Sequence, residues 1–183
     1  MEPVTTAALG AASAHLLASP RDAGVIELIV ARPAPGERAV LAEAVLDPDA
    51  GLVGDCWLAR GNRHTPDGSA SPLMQLTLMN ARVAALVAGP RDRWALAGDQ
   101  LYVDLELGGD NLPPGTRLAV GTAVVEITEQ PHTGCAKFAE RFGMDVARFV
   151  SSPVGRAHNF RGINARVVEG GFVRPGDVAA KRG

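Results

Sequence analysis

Glycine and proline punctuate this chain from end to end. There are 21 glycines and 13 prolines among 183 residues, almost a fifth of the whole, where a combined share of about 12% is ordinary. They stand singly or in short clusters and are not gathered into one tract. Breakers at that spacing leave room only for short elements, which favours many short strands joined by turns over a few long helices. Aromatic residues make up only 4% of the chain, so the core between the turns has to be aliphatic.

The apolar segments between breakers can be assigned in order. Thr5–Ala18 reads as an Ala/Leu helix, with Ala8, Leu9, Ala12, Leu16 and Leu17 near helical spacing, and Ser19-Pro20 stops it. Gly24–Arg32 (GVIELIVAR) is the best strand. After a turn at Pro33–Gly36, Arg38–Leu46 reads as its hairpin partner. A long polar loop, Ala59–Pro72, follows; a loop of that length inside a folded unit is more often functional or mobile than idle. Leu73–Leu78 alternates as a strand, and Asn80 caps a helix running to Ala88. Leu101–Leu107 alternates again. Thr116–Val120 and Thr122–Thr128 form a hairpin around Gly121. Cys135–Phe142 and Met144–Val150 read as helices, and Ile163–Glu169 and Phe172–Val178 as strands around Gly170-Gly171. Seven or eight short strands with helices inserted at intervals predict a mostly β, α+β architecture, namely a mostly antiparallel β-barrel with helical decorations. One domain spanning residues 1–183 is expected, with 1–20 as a helical extension and 24–178 as the barrel core.

Charge narrows the partners. Eighteen basic and twenty acidic side chains give a net charge of −2, which argues against a broad grip on nucleic acid but allows a local basic pocket. No apolar run approaches the roughly 18 residues that span a bilayer. The start, Met1-Glu2-Pro3 with no Lys or Arg before Arg21, does not read as a secretory signal. Two cysteines make no disulfide framework. A cytoplasmic protein with reduced thiols is expected, with neither nucleic acid nor membrane as partner; its oligomeric state stays open.

The segment richest in chemistry is Pro131-His132-Thr133-Gly134-Cys135-Ala136-Lys137-Phe138, where a Val/Ile strand gives way to a helix. With Thr133 as N-cap, Cys135 falls in the first turn, where free amides and the helix dipole stabilise a thiolate and His132 and Lys137 add positive potential. Such a thiol suits a nucleophile, a sulfur carrier or a soft-metal ligand. Against this, Cys135, Phe138, Ala139 and Phe142 share one helical stripe, so Cys135 also reads as a small core residue. His132 and Cys135 with Cys56 and His64 offer zinc-type ligands, but no CxxC is present. Arg156, His158, Arg161 and Arg166, near Asn159 and Asn164, form a local basic cluster that is either a solvated face or a phosphate or carboxylate grip. Asp55 and Asp99, each after a glycine, read as turn residues. No GxGxxG, GxxxxGK[ST], GxSxG or HExxH motif occurs.

Beyond these separate readings, an ordered set of segments resembles the MOSC domain, found at the C-terminus of molybdenum cofactor sulfurases and as stand-alone bacterial proteins. The segments are Gly51-Leu52-Val53-Gly54-Asp55, Gln75-Leu76-Thr77-Leu78-Met79-Asn80, Ala97-Gly98-Asp99-Gln100-Leu101, Leu112-Pro113-Pro114-Gly115-Thr116-Arg117-Leu118, the Cys135-bearing segment, and Arg161-Gly162-Ile163-Asn164-Ala165-Arg166-Val167. The match runs from about Gly24 to Asp177. The resemblance implies a β-barrel like the barrel domain of pyruvate kinase and a link to the pterin-based molybdenum cofactor (molybdopterin). It implies that Cys135 is the functional residue, ligating molybdenum for reduction of N-hydroxylated compounds or carrying persulfide sulfur, with an electron-donor or sulfur-donor protein as partner. His132, Thr133, Lys137, Arg161, Asn164 and Arg166 are the residues expected to hold the cofactor. A carrier module without turnover, and a degenerate barrel with a structural cysteine, are the alternatives. The sequence departs from the pattern at Cys56, where relatives more often show a basic or other polar residue, and in the loop Arg60–Ser71, which lacks the denser His/Tyr pattern of N-hydroxylamine-reducing members.

Overall fold

Strand β1 (Ala23–Ala31) is apolar at nearly every position because it is covered on both faces. Ile26 and Ile29 join a core inside a barrel, while Leu28 and Val30 join a second core between the barrel wall and the helices. An irregularity in its pairing between Ile26 and Leu28 resets the two-residue alternation, which is what a bulge does.

In a computed structural model of the chain, residues 6–134 and 136–182 are described; Cys135 lies outside them. After helix α1 (Thr6–Leu17) and β1 come β2 (Ala39–Val40), β3 (Ala44–Asp47), β4 (Gly51–Leu52) and the short helix α2 (Trp57–Arg60). Then follow β5 (Leu76–Asn80), α3 (Ala81–Ala88), a 3-10 segment at Arg91–Ala97 and β6 (Leu101–Val103). The hairpin β7 (Arg117–Val120) and β8 (Ala123–Ile127) leads to three helices, α4 (Ala136–Phe142), α5 (Met144–Val150) and α6 (Pro153–Ala157). The remaining strands are β9 (Ile163–Glu169), β10 (Gly171–Val173) and β11 (Val178–Arg182).

Seven strands close into a barrel in the order β1-β6-β5-β9-β8-β7-β11, with β11 pairing back onto β1. An odd number of strands cannot close through antiparallel pairs alone. The one parallel pair required is β5–β6, with Leu78 opposite Leu101; every other barrel pairing is antiparallel. The parallel pair sits where helices cover the wall: Leu78 and Leu101 face the interior, Met79 and Tyr102 the helices. Burial on both faces is the usual setting for parallel pairing. The expected β-barrel with helical decorations is therefore present, as a mixed barrel. A smaller sheet, β10-β3-β4, sits beside it.

Local signals hold up where they rest on short-range chemistry. Asn80 caps α3, its side chain accepting from the amides of Arg82 and Val83. The segment expected as one strand at Arg38–Leu46 divides: β2 pairs with β1, whereas β3 joins the smaller sheet. Phe172–Val178 divides likewise into β10 and β11, which lie in different sheets. Among the described residues, no helix is long and apolar enough to cross a membrane.

Candidate functional site

One rim of the barrel gathers the polar residues. The C-terminal ends of β1 and β8 and the N-terminal ends of β6 and β9 meet there because β1 runs antiparallel to β6, and β8 to β9. Each end delivers one group: Arg32 after β1, Asp99 before β6, His132 beyond β8 and Arg161 before β9.

Asp99 is the anchor. It is fully buried, and its carboxylate receives the Arg161 guanidinium at 2.7 Å and His132 Nε2 at 2.8 Å. Burial alone would push its carboxyl up; the Arg161 charge and the His132 contact outweigh that and hold it below the usual range. His132 is shifted down, first by burial and then by the Arg161 charge, against the pull of Asp99. The imidazole is thus neutral at pH 7, with Nε2–H donating to Asp99. Arg161 also donates to the Ala97 carbonyl at 3.1 Å and lies over the Phe138 ring at 4.7 Å, a cation–π seat. Gly162 makes room: its φ is +110°, and a Cβ there would meet the Leu78 carbonyl oxygen at 2.4 Å and the His132 ring at 3.1 Å. A second buried pair lies alongside. Arg32 forks onto Asp55 at 2.8 and 3.0 Å, and Asp55 also accepts the Trp57 amide at the start of α2.

Above this framework lies a cleft of about 250 Å³ lined by Arg32, Arg38, Arg60, Cys56, His132, Lys137, Arg141 and Arg161, with no carboxylate among its lining residues. Arg32 and Arg161 are neutralised by Asp55 and Asp99. Arg38, Arg60, Lys137 and Arg141 pair with no carboxylate among the described residues; Arg38 and Arg141 donate to the Ala95 and Leu96 carbonyls. Lys137 and Arg141 stand four apart on α4, where like charges repel. Burial and then the charges of Arg141 and Arg32 push the Arg38 guanidinium below its ordinary value. Four uncompensated cations in one cleft make a seat for an anion, and arginine forks match phosphate oxygens.

His132 and Arg161 also line a neighbouring cavity of about 270 Å³, with Thr133, Ser151, Arg156 and Asn159. Asn164 lies beside it in a third, of about 200 Å³, again with His132. Asn164 donates to the Gln130 carbonyl, and its Oδ1, like Arg161 Nε, is buried without a hydrogen-bond partner among the described residues.

The sequence-predicted residues thus fall into groups. His132, Lys137 and Arg161 share the cleft; Thr133 and Asn164 line adjoining cavities. Arg166 lies elsewhere, on the exposed outer face of β9, forked onto Glu126. It is two residues farther from the rim than Asn164, about 6.6 Å along a strand. His158 pairs with Glu106. The expectations for Cys135, as catalytic residue and molybdenum ligand in a first helical turn, fall on a residue outside the described ones. Thr133 and Gly134 are not helical, and helix α4 is described from Ala136 onward. Among the described residues no group of three or more His, Cys, Asp or Glu could hold a metal ion. Sequence reasoning missed Arg32, Arg38, Arg60 and Arg141, and it took Asp55 and Asp99 for turn residues. The available signal was two Gly-Asp pairs beside apolar strands.

Comparison with known proteins agrees with this architecture. YuaD protein from Bacillus subtilis has a TM-score of 0.63 at 16% identity, over 87% of this chain and 97% of that one. YiiM from Escherichia coli has a TM-score of 0.55 at 18% identity, over 87% and 70%. YiiM from Geobacillus stearothermophilus has a TM-score of 0.53 at 15% identity, over 90% and 75%. At these identities the likeness is one of fold. No curated protein matches the chain. A family model described as the MOSC domain matches residues 78–180, more than half of the sequence. That span holds Asp99, His132, Lys137, Arg141 and Arg161, and with it the chain belongs to the MOSC domain family.

Proposed function

We propose that the arginine-lined cleft binds the phosphorylated pterin of the molybdenum cofactor, and that Cys135 serves that cofactor. The thiolate either ligates molybdenum in the reduction of N-hydroxylated compounds or carries persulfide sulfur for transfer. MOSC domains are associated in general with molybdenum cofactor binding. The observation that carries the reading is the set Arg38, Arg60, Lys137 and Arg141, which face one cleft with no carboxylate to neutralise them. A phosphate monoester brings about two negative charges and three strong acceptor oxygens.

The residues present fit such a group in a second respect. Arg161 Nε is a buried donor and Asn164 Oδ1 a buried acceptor, both without a partner among the described residues. Buried polar atoms are normally satisfied, and a ligand carrying both acidic oxygens and ring N–H groups complements the two. Bound, the cofactor would supply a two-electron redox centre. The chain's own residues would do the rest. Arg38 and Arg141 would hold the phosphate and Lys137 would add charge; burial and the Arg161 charge would keep His132 neutral, and Asp99 would fix its proton on Nε2, leaving Nδ1 to accept one. An electron-donor protein completes the reductase form of the proposal, and a sulfur-donor protein the transfer form.

The test is to make the protein in cells that produce the cofactor and to measure molybdenum by elemental analysis and pterin by fluorescence after oxidation. The expected result is both, in equal amounts. Where Cys135 ligates molybdenum, Cys135→Ser should lose the metal; where it carries sulfur, the variant should keep molybdenum and pterin and lose only the added sulfur. Arg38→Ala with Arg141→Ala should lose both molybdenum and pterin in either form. A mass spectrum showing added sulfur on Cys135 selects the transfer form. Reduction of an amidoxime with a supplied electron donor selects the reductase, and retained cofactor with neither result selects a carrier. Protein that holds no pterin under these conditions would overturn the reading.

A further inference from the structure

A fourth cavity, of about 320 Å³, opens beside the cleft and shares Arg60 with it. Helix α2 stands between the two: Cys56, just before it, lines the cleft, and Trp57 lines this cavity. Trp57 and Met74 supply apolar wall, while Arg60, Arg63, His64 and Asn62 supply the polar part, and no carboxylate is among the lining residues.

The cavity is held open by the loop that forms it. Gly61 has φ +66°, and a Cβ there would sit 2.2 Å from the Gly68 carbonyl oxygen, so only glycine lets the loop close on itself. The Asn62 amide donates to the carbonyls of Gly68 and Ser69, Thr65 Oγ1 lies within hydrogen-bond reach of the carbonyls of Asn62 and Ser69, and Asn62 Oδ1 accepts from the His64 amide. Trp57 is fixed by its indole N–H donating to the Ser71 carbonyl at 3.2 Å. A preformed seat of this kind binds without paying for ordering.

Its chemistry is specific. Arg63 donates through Nε to His64 Nε2 at 3.2 Å, so that nitrogen acts as an acceptor and the terminal guanidinium nitrogens of Arg63 have no protein partner among the described residues. Arg60 pairs with no carboxylate there either. An apolar wall of sulfur and indole next to two unneutralised guanidinium groups suits a ring with an acid attached.

We infer that this cavity is the subsite for the organic substrate and that it takes a flat aromatic or heteroaromatic compound carrying an acidic group, the ring against Trp57 and Met74 and the acid on Arg60 and Arg63. Calling the occupant the substrate rests on the cofactor reading above; that an aromatic acid binds here does not. Arg60, common to both spaces, sets the acid of the occupant beside the cofactor cleft.

Calorimetric titration of the full chain, cofactor-free and cofactor-loaded, tests this with phenyl phosphate, inorganic phosphate and benzyl alcohol as probes. Phenyl phosphate should bind about tenfold or more tighter than either of the others, since a charge-assisted contact and a buried ring each contribute on that scale. Arg63→Gln should cost phenyl phosphate about tenfold and leave inorganic phosphate unchanged, with Arg63→Lys in between. Arg63 is exposed, so these variants are not at risk of misfolding. Equal affinity for phenyl phosphate and inorganic phosphate, or no effect of Arg63→Gln, overturns the inference. Loss of phenyl phosphate binding in the loaded protein also overturns it, because the cavity would then belong to the cofactor. Tight phenyl phosphate binding by a protein that never acquires molybdenum leaves the aromatic-acid site standing and sinks the cofactor reading instead.

Discussion

Two sets of cations line the same cleft and are held in opposite ways. Arg32 and Arg161 are buried, each bonded to its own buried carboxylate, Asp55 or Asp99. Arg38, Arg60, Lys137 and Arg141 stand a few residues away with no carboxylate partner among the described residues. The first set is part of the fold, since removing either member strands a charge away from water. The second set repels itself and gains only when an anion arrives. The difference separates residues that keep the rim in shape from residues that bind, although all six line one cavity.

The largest test of that distinction is Asp99→Ala. It strands Arg161 and removes the partner of His132, and loss of one member of a buried pair costs about 3–5 kcal/mol; urea denaturation reads this, and a loss under about 1 kcal/mol would place Arg161 in the second set. Gly162→Ala comes next. Its Cβ must displace the Leu78 carbonyl or the His132 ring in a left-handed conformation, so a loss of about 1–3 kcal/mol is expected, together with a change in the His132 resonances by NMR. Arg38→Ala and Arg141→Ala should go the other way. Stability should change by about 1 kcal/mol or less, the scale of the one carbonyl hydrogen bond each side chain gives up, while affinity for inorganic phosphate falls about tenfold per variant.

The smallest effect is a pH slope. The Asp99 carboxyl is held below its usual range, so its contribution is complete above about pH 4 and is lost as pH falls through the lower folded value. His132 is shifted down as well. The unfolded chain therefore takes up that proton first, and stability declines as pH drops below about 6.5. Both slopes run the same way. His132→Gln should flatten the decline nearest neutrality and leave the more acidic part, as thermal melts across pH would register.

How much of this was legible in the sequence depended on the range of the interaction. Helix α5 and strand β9 run over the residues their patterning predicts, because Gly143 before one and Gly170 after the other end them locally. Asn80 was readable as a cap for the same reason. The division of Arg38–Leu46 between two sheets was not readable, since pattern tells which face is apolar but not which strand lies opposite. At the site, His132, Lys137 and Arg161 were picked out by residue type and local company. Asp99 was not, because its meaning comes from partners 33 and 62 positions away. The basic cleft was hidden by dilution: a chain of net charge −2 shows no basic run, yet folding brings Arg38, Arg60 and Arg141 from separate stretches to one place.

The seam between β1 and β11 has a consequence for how the molecule comes to exist. Ala23 lies opposite Ala180, so β1 waits for a partner that follows every other barrel strand along the chain. Until then its hydrogen-bonding edge is open and its apolar faces are only partly covered, the situation in which chains pair with the wrong neighbour. Contacts this distant along the chain also slow folding. A nascent chain lacking β11 would carry a gap in its wall between β1 and β7, and only the arrival of that strand lets the cylinder shut.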